Sequence, residues 1–302
     1  MKGIVLAGGT GSRLAPMTLA VSKHLLPVAD KPMIYYPLTT LMSAGVTDIL
    51  VISTPADLPQ YRRLLGDGAQ LGLRIGYAEQ PRPEGIAQAL LIGAEHIGGD
   101  TVALALGDNV FAGPGLPDIL RSNAADVSGC VLFGAQADDP RRYGIGVADA
   151  DGRLVHIEEK PARPRSSQAI TGLYFYDNDV VDIARRLEPS GRGELEITDV
   201  NRVYVRRHRA RLVNLGEEFL WRDAGTPDSL RDTGRRILSL EKDLGSRVAC
   251  VEEVALRLGL IDARTCHRLG AAQANSGYGE YVMAVARGVG EGSPETSAGA
   301  SR

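Results

Sequence analysis

Short runs of apolar residues alternate with amphipathic stretches through the first half of the chain. The runs are rich in Val, Ile and Leu and lack polar alternation, which is typical of strands buried on both faces of a parallel sheet. They predict strands at 2–7, 49–54, 73–78 and 101–106, with helices near 33–44, 57–65 and 85–96. This order indicates βαβ units, and we expect an α/β fold with a Rossmann-like mixed, mainly parallel sheet flanked by helices.

The pattern changes after residue 129. Asp151-Gly152 is a turn signal between two strand-like stretches, so 144–149 and 153–159 are predicted to form a β-hairpin. Further elements are predicted as a strand at 169–176, helices near 178–187 and 194–207, a strand at 211–215, a helix from Pro227 and several helical pieces over 235–286. We divide the chain into an α/β core at 1–235, a helical C-terminal region at 236–287 and a Gly/Ser/Glu-rich disordered tail at 288–302.

Composition narrows the class of protein. The 302 residues are 44% hydrophobic and 24% charged, and the net charge is −3. A nucleic-acid binder usually has a basic excess, so we interpret the basic run at 206–211 as a solvated helix end. Cys130, Cys250 and Cys266 are odd in number and far apart, which favours small buried side chains in a reducing compartment. No apolar run approaches membrane-spanning length. We expect a cytoplasmic protein without membrane or nucleic-acid partners.

A glycine-rich basic loop follows the first strand. Gly8, Gly9 and Gly11 allow backbone N–H groups to approach phosphate oxygens, and Arg13 and Lys23 supply cations. The loop lacks the third glycine of a dinucleotide fingerprint and the lysine of a Walker loop. These residues favour phosphate binding at the carboxyl end of the strand, although a tight βα turn uses glycine for shape alone.

Several motifs in fixed order resemble the sugar-1-phosphate nucleotidylyltransferases, and among these the glucose-1-phosphate thymidylyltransferases of bacterial dTDP-sugar pathways. The resemblance spans roughly residues 2 to 281. The motifs are LAGGTGSRL (6–14), SKHLLPV (22–28), KPMIYYPL (31–38), GDN (107–109), EEKP (158–161), TGLYFYD (171–177) and RGELEITDVN (192–201).

The resemblance implies an activity. A thymidylyl group would pass from dTTP to α-D-glucose 1-phosphate by direct in-line displacement, giving dTDP-glucose and pyrophosphate as the first step of dTDP-sugar biosynthesis. It also implies Mg²⁺ as the cofactor and a homotetramer. Catalytic roles are implied for Arg13, Lys23, Asp108, Lys160 and Asp223.

The resemblance assigns the two substrates to different residues. The nucleotide would be bound by Gly8, Gly9, Thr10, Gly11, Arg13, Gln80, Gly85 and Asp108, with Gln80 and Gly85 reading the thymine edge. The sugar phosphate would be bound by Asn109, Gly144, Glu159, Lys160, Ile170, Tyr174 and Arg192. Regular strand alternation would place Glu159 and Lys160 on opposite faces unless the strand ends or bulges near Pro161.

Asp108 and Asp223 are the candidate Mg²⁺ ligands. Asp108 follows a predicted strand, at the sheet edge where ligands bind in open parallel sheets. Each aspartate alone has a simpler reading as a turn or helix-cap residue. The resemblance places both on one Mg²⁺, although this chain has Ala224 where the family usually has threonine.

Three other functions stay open. The same chemistry with UTP or another hexose 1-phosphate uses a base edge that thymine and uracil share. A non-catalytic nucleotide-sugar sensor would have no need for the paired aspartates. A dinucleotide-dependent dehydrogenase is disfavoured because Leu14 stands where the third glycine belongs.

Overall fold

The computed structural model describes residues 1–290. Its strands are β1 (Lys2–Leu6), β2 (Pro27–Val28), β3 (Lys31–Pro32), β4 (Asp48–Ser53), β5 (Arg74–Glu79), β6 (Val102–Leu106), β7 (Asn109–Ala112), β8 (Cys130–Gln136), β9 (Gly144–Ala148), β10 (Leu154–Glu159), β11 (Gln168–Tyr176), β12 (Ala210–Asn214) and β13 (Leu220–Asp223). Its helices are α1 (Tyr35–Ser43), α2 (Leu58–Leu65), α3 (Gln88–Ile92), α4 (Ala94–Ile97), α5 (Leu116–Ala124), α6 (Asp179–Arg185), α7 (Ile197–Arg206), α8 (Pro227–Leu244), α9 (Val251–Arg257), α10 (Ala263–Ala271) and α11 (Gly277–Gly290).

A nine-stranded mixed sheet forms the centre of the fold. The strand order is β10-β9-β11-β6-β1-β4-β5, and β8 pairs with both β11 and β12. Strands β6, β1, β4 and β5 are mutually parallel, while β11 runs antiparallel to β6, β8 and β9. The predicted α/β class with a mixed, mainly parallel sheet is confirmed.

Both faces of the sheet are buried, as the continuous apolar strands require. Val5 and Ala105 belong to one cluster with side chains of α1, α5 and α9, whereas Ile4 and Leu104 belong to another with α3, α6 and α7. Successive residues of a strand point to opposite faces, so an apolar strand contributes to both clusters.

Strand β11 changes neighbours along its length. It pairs with β8 at both ends, and on its other edge with β6 at 173–176 and with β9 at Ala169. The register shifts between Ile170 and Tyr174. The sheet therefore forks at the middle of β11, beside the carboxyl end of β6.

The second half of the chain confirms the hairpin and the helix start. Strands β9 and β10 are antiparallel, and α8 begins at Pro227. Helix α8 runs without a break through the domain boundary placed at 235–236, so that division stays a prediction. Helix α11 continues to Gly290, past the predicted start of the tail, and residues 291–302 lie outside the described residues.

Some elements differ from the sequence prediction. The helix expected over 85–96 is divided into α3 and α4 at Gly93, where a Cβ would come within 2.6 Å of Ile4 Cδ1. Helix α7 begins at Ile197 instead of 194, which leaves Glu194 and Glu196 in a loop. Strand β8 and helix α5 were not predicted, although β8 is an apolar run. Among residues 1–290, no helix combines the length and apolar character needed to cross a bilayer.

The basic run at 206–211 is more than a solvated helix end. Arg206 ends α7 and Ala210 begins β12. Between them, Arg209 pairs with Asp177 and donates to Asp179 Oδ2 at 2.8 Å. These charges therefore hold the turn between α7 and β12 against the start of α6.

Candidate active site

A cavity of about 430 Å³ lies at the fork of the sheet. Its floor includes Leu6 and Leu106 from the carboxyl ends of β1 and β6, and Thr171 and Gly172 from the middle of β11. Parallel strands bring their carboxyl ends to one edge, which is where open α/β sheets bind ligands.

Fifteen of the seventeen predicted site residues line this one cavity. They are Gly8, Gly9, Arg13, Lys23, Gln80, Gly85, Asp108, Asn109, Gly144, Glu159, Lys160, Ile170, Tyr174, Arg192 and Asp223. Thr10 and Gly11 do not line it: Thr10 is exposed, and Gly11 carries the turn that follows. Gly11 has φ 59°, and its carbonyl accepts from Leu14 N at 2.8 Å and from Thr18 Oγ1 at 2.9 Å.

The glycine loop is supported from below by a buried polar layer. The carbonyl of Ala7, just before Gly8, accepts from Ser53 Oγ at 2.7 Å. Tyr61 OH lies 2.7 Å from Ser22 Oγ and 3.2 Å from His24 Nδ1. Burial, with the charge of Lys23 adding to it, lowers the pKa of His24 to about 3. The imidazole is therefore neutral at physiological pH, and only Lys23 of this turn carries charge.

The two aspartates stand in different electrostatic environments. Burial opposes the ionisation of Asp108, but Lys23 Nζ at 2.6 Å from Oδ2 outweighs it and holds the pKa of Asp108 well below its usual range. Burial, and next the charge of Asp108, raise the pKa of Asp223, while Arg13 partly opposes the shift. Asp223 is therefore harder to ionise than Asp108, chiefly because it is buried and next because Asp108 beside it is negative.

Strand pairing brings the aspartates together. Asp223 pairs with Asn109 in the β7–β13 ribbon, and the N–H of Ala224 donates to the carbonyl of Asp108 at 2.9 Å. Asp223 does not cap α8, because Thr226 is the N-cap and accepts from Ser229 N. Its Oδ1 instead accepts from Gly225 N at 2.9 Å.

The donor set fits a magnesium ion. Asp108 and Asp223 line the same cavity and supply hard oxygen ligands. Within residues 1–290 no three His, Cys, Asp or Glu side chains are grouped as a complete metal site. The remaining ligands would come from water and substrate phosphate, which is how Mg²⁺ is usually held.

The opposite wall carries Glu159, Lys160 and Arg192. Strand β10 ends at Glu159, and Lys160 has φ 41°, so both side chains reach the cavity despite being consecutive. Glu159 Oε2 accepts from Thr198 Oγ1 at 2.6 Å, and Lys160 Nζ lies 3.3 Å from Glu159 Oε1. Arg192 Nη2 donates to both oxygens of Glu196, at 2.8 and 2.9 Å. Both cations are therefore paired with carboxylates in this structure.

Known proteins place this arrangement in a family. Residues 2–239 match the family described as nucleotidyl transferase. The chain belongs to the nucleotidyl transferase family. The resemblance drawn from the motifs is thereby confirmed.

The relatives of this nucleotidyl transferase carry a common name. A glucose-1-phosphate thymidylyltransferase of Mycolicibacterium smegmatis is 52% identical over 283 residues, covering 94% of this chain and 98% of the relative. One from Xanthomonas campestris is 50% identical over 286 residues, covering 95% of this chain and 97% of the relative.

Solved structures agree on the fold. A Bacillus anthracis protein provisionally assigned as a glucose-1-phosphate thymidylyltransferase, in complex with sucrose, superposes with a TM-score of 0.72. It is 39% identical, and the match covers 78% of this chain and 94% of that one. A UDP-glucose pyrophosphorylase bound to UDP-glucose matches with a TM-score of 0.71 over 79% of this chain and 98% of that one, but at 21% identity it supports the fold alone.

Several residues lining the cavity of this nucleotidyl transferase were not singled out from the sequence. They are Arg142, Tyr143, Gly172, Glu194, Glu196, Thr198, Asn201 and Trp221. Four of them lie inside the RGELEITDVN motif at 192–201, which was a usable signal. Asn201 is fully buried, and its Oδ1 accepts from Tyr176 OH at 2.7 Å. Within residues 1–290 its Nδ2 has no hydrogen-bond partner.

Proposed function

We propose that this protein transfers a thymidylyl group from dTTP to α-D-glucose 1-phosphate in a Mg²⁺-dependent reaction. The products are dTDP-glucose and pyrophosphate, and the reaction is the first step of dTDP-sugar biosynthesis. The observation that carries the proposal is one cavity holding the Asp108–Asp223 pair between two sets of cations. The names of relatives about 50% identical over nearly the whole chain support the choice of substrates.

The chemistry is a direct displacement at phosphorus. An oxygen of the sugar phosphate forms a bond to the α-phosphorus of dTTP, the bond from that phosphorus to the bridging oxygen breaks, and pyrophosphate leaves. No protein nucleophile takes part, so the chain acts by orienting the two substrates and stabilising negative charge.

Each set of cations serves one substrate. Arg13 and Lys23 lie by the glycine loop and neutralise the nucleotide phosphates and the departing pyrophosphate. Lys160 and Arg192 on the opposite wall hold the incoming phosphate monoester. Lys23, Lys160 and Arg192 leave their present carboxylate partners, or share them, when phosphate enters.

Charge balance supports the metal. The cavity is lined by five cationic side chains (Arg13, Lys23, Arg142, Lys160, Arg192) and five carboxylates (Asp108, Glu159, Glu194, Glu196, Asp223). A triphosphate and a monoester add several negative charges to this neutral set. Asp108 and Asp223 would hold Mg²⁺, which supplies positive charge at the α-phosphate when bound.

The remaining contacts would set specificity. Gln80 and Gly85 lie beyond the glycine loop and would read the base edge. Glu159, held by Thr198, would accept from sugar hydroxyls, and Gly144 leaves room there because a Cβ would lie 3.3 Å from both of those side chains. Asn109, Ile170 and Tyr174 complete the sugar side of the cavity.

Cellular context is part of the proposal. The three cysteines are buried and unpaired, which fits a reducing cytoplasm. We expect a homotetramer that binds neither membranes nor nucleic acid. Light scattering coupled to gel filtration measures the mass of the oligomer.

The test is pyrophosphate release with Mg²⁺ across a grid of nucleoside triphosphates and sugar 1-phosphates. Release should peak with dTTP and glucose 1-phosphate. Asp223→Asn and Lys23→Met should lower kcat by about 10²- to 10³-fold, the usual loss for one preorganised electrostatic group. Asp243→Asn, on the exposed end of α8, is the matched control.

The outcomes separate the alternatives. Release that peaks with UTP or with another hexose 1-phosphate would keep the chemistry and replace the substrates. Nucleotide binding with no release anywhere on the grid would favour a sensor and overturn the proposal.

A further inference from the structure

A chain of three polar side chains leads from the protein surface to the nucleotide side of the cavity. Gln88 Nε2 donates to Glu84 Oε2 at 2.8 Å, and Gln80 Nε2 donates to Gln88 Oε1 at 2.7 Å. Gln80 is buried and lines the cavity, Gln88 is half-buried, and Glu84 is exposed. Neither Glu84 nor Gln88 lines the cavity, so both act on it only through Gln80.

The direction of hydrogen-bond donation along these three side chains follows from the negative charge of Glu84, the outermost of them. An ionised carboxylate only accepts hydrogen bonds, so Gln88 must turn its NH₂ group towards Glu84. This leaves Gln88 Oε1 facing Gln80, and Gln80 must then donate with its own NH₂ group. Hydrogen bonding thus determines the orientation of both amides.

The carbonyl oxygen of Gln80 is consequently directed towards the glycine loop. Gln80 Oε1 lies 2.4 Å from the position that a Cβ on Gly8 would occupy, and Gly8 lines the cavity. The carbonyl of Gly85, 3.5 Å from Gln80 Nε2, also favours this orientation. Gln80 therefore presents a hydrogen-bond acceptor, its Oε1, to the cavity.

Backbone hydrogen bonds hold Glu84 and Gln88 in place. Leu195 N donates to the carbonyl of Glu84 at 2.7 Å, and Ala87 N donates to the carbonyl of Leu195 at 3.1 Å. Gly85 lies between them with φ 105°, a conformation that favours glycine. Glu84 and Gln88, which begins α3, are thus presented to each other by a fixed turn.

We propose that Glu84 and Gln88 are positioning residues that set base selectivity by holding the Gln80 carbonyl oxygen towards the base. An acceptor at this point selects a base with a ring N–H, as in thymine and uracil, and rejects cytosine, whose corresponding nitrogen is itself an acceptor. This inference rests on the proposed function, since it assumes that the nucleotide base lies beside Gln80.

Reversing the charge of Glu84 tests the direction of hydrogen-bond donation from Gln80 to Gln88 to Glu84. In Glu84→Lys the ammonium only donates, so Gln88 turns over, Gln80 turns over in response, and an NH₂ group faces the base. The ratio of dTTP to dCTP affinity, measured by calorimetry with Mg²⁺ and no sugar phosphate, should fall at least about tenfold, one hydrogen bond's worth of discrimination. Glu95→Lys makes the same charge change at an exposed position on α4 and should keep the wild-type ratio.

Two further variants separate orientation from packing. Gln88→Met keeps the length of the side chain but leaves Gln80 free to turn, so the ratio should fall without reversing. The exchange Glu84→Gln with Gln88→Glu restores every hydrogen bond, because the new carboxylate accepts from both neighbours. It should therefore recover the wild-type ratio.

The results distinguish this inference from the proposed function. If the wild type turns over dTTP but Glu84→Lys and Gln88→Met keep the wild-type ratio of dTTP to dCTP affinity, the positioning role of Glu84 and Gln88 is overturned. The proposed activity is then unaffected. The opposite result is a wild type that shows no turnover but binds dTTP more tightly than dCTP, with this preference lost in Glu84→Lys. It would support the positioning role and overturn the proposed activity.

Discussion

At the scale of single residues, Gly225 is where the backbone passes closest to the charges of the site. A Cβ at this position would lie 2.8 Å from Arg13 Nη2 and 2.8 Å from Asp223 Oδ1. Its N–H also donates to that carboxylate at 2.9 Å. A glycine is needed here for close approach, since any side chain would separate the arginine from the aspartate.

Gly225→Ala should therefore displace Arg13 or Asp223. We expect kcat/KM to fall by about 10²-fold, the effect of displacing a catalytic group by about 1 Å. Gly99→Ala is the matched control, because a Cβ there meets nothing within 4 Å. Initial rates of pyrophosphate release measure the effect, and wild-type rates in Gly225→Ala would contradict this account.

His24 makes stability depend on pH. The pKa of His24 is about 3 in the folded protein, whereas a histidine in the unfolded chain has the ordinary value of 6.5. Between pH 3 and pH 6.5 the unfolded chain therefore binds a proton that the folded protein does not. The free energy of unfolding therefore falls as the pH drops from 6.5 towards 3, by up to about 1.4 kcal/mol per pH unit.

His24→Gln should reduce this loss of stability between pH 7 and pH 5. Urea unfolding at the two pH values measures the difference. His267→Gln, at an exposed position on α10, should leave the pH dependence as in the wild type. Equal slopes in His24→Gln and the wild type would show that the imidazole is protonated in the folded state.

At the scale of elements, Asn109 joins β7 to β11 and β13. Its Oδ1 accepts from Gly172 N at 3.0 Å and from Trp221 Nε1 at 2.7 Å. Its Nδ2 donates to Asp108 Oδ1 at 3.1 Å. Gly172 must be a glycine for this contact, since a Cβ would lie 2.6 Å from Asn109 Cγ. The same side chain, which lines the cavity, thus also fixes the β7–β13 ribbon that carries Asp223.

Asn109→Asp should destabilise this junction. The new carboxylate keeps the two accepted hydrogen bonds but replaces the donor to Asp108 with a negative charge. We expect the free energy of unfolding to fall by about 1–3 kcal/mol, the cost of leaving a buried polar group without its partner. Asn214→Asp, at an exposed position on β12, is the control, and an equal, small change in both variants would contradict the role of the amide.

At the scale of the whole molecule, a buried lysine ties the helical C-terminal region to the core. Lys31, in the β2–β3 hairpin, is 2% exposed. Its Nζ lies 2.6 Å from Asp30 Oδ1 and 3.0 Å from Glu241 Oε1 on α8. The same Glu241 oxygen accepts from Val248 N at 2.9 Å, and Arg247 pairs with Asp30. This network spans the end of α8 and the segment leading into α9.

Lys31→Met should destabilise the protein by about 3–5 kcal/mol, because the Glu241 carboxylate, with a side chain only 11% exposed, keeps the Val248 N–H but loses its cation. Adding Glu241→Leu should recover part of that loss, since apolar side chains can replace a buried ion pair. Lys242→Met, on the exposed face of α8, should cost far less. Denaturant unfolding measures the wild type, these three variants and Glu241→Leu alone. A loss in the double variant equal to the sum of the two single losses would contradict a direct interaction.

The apolar pattern and the motifs are enough to specify the parallel core and the outline of the site. Continuous apolar runs such as 49–54 specify strands buried on both faces, and the matching motifs contain more than half of the residues that line the cavity. Local rules suffice here because a glycine loop, a strand end and a Pro-started helix are each encoded within a few residues.

How these elements meet depends on contacts that form only in the folded protein. The fork at β11, the division of the 85–96 helix at Gly93 and the place of Lys160 on the cavity wall each depend on contacts with residues distant in sequence. The role of Gly225 and the direction of the Glu84–Gln88–Gln80 chain likewise follow from which atoms lie opposite one another. Periodicity reports which face of an element is buried, whereas close approach and hydrogen-bond direction are set by the neighbour it is buried against.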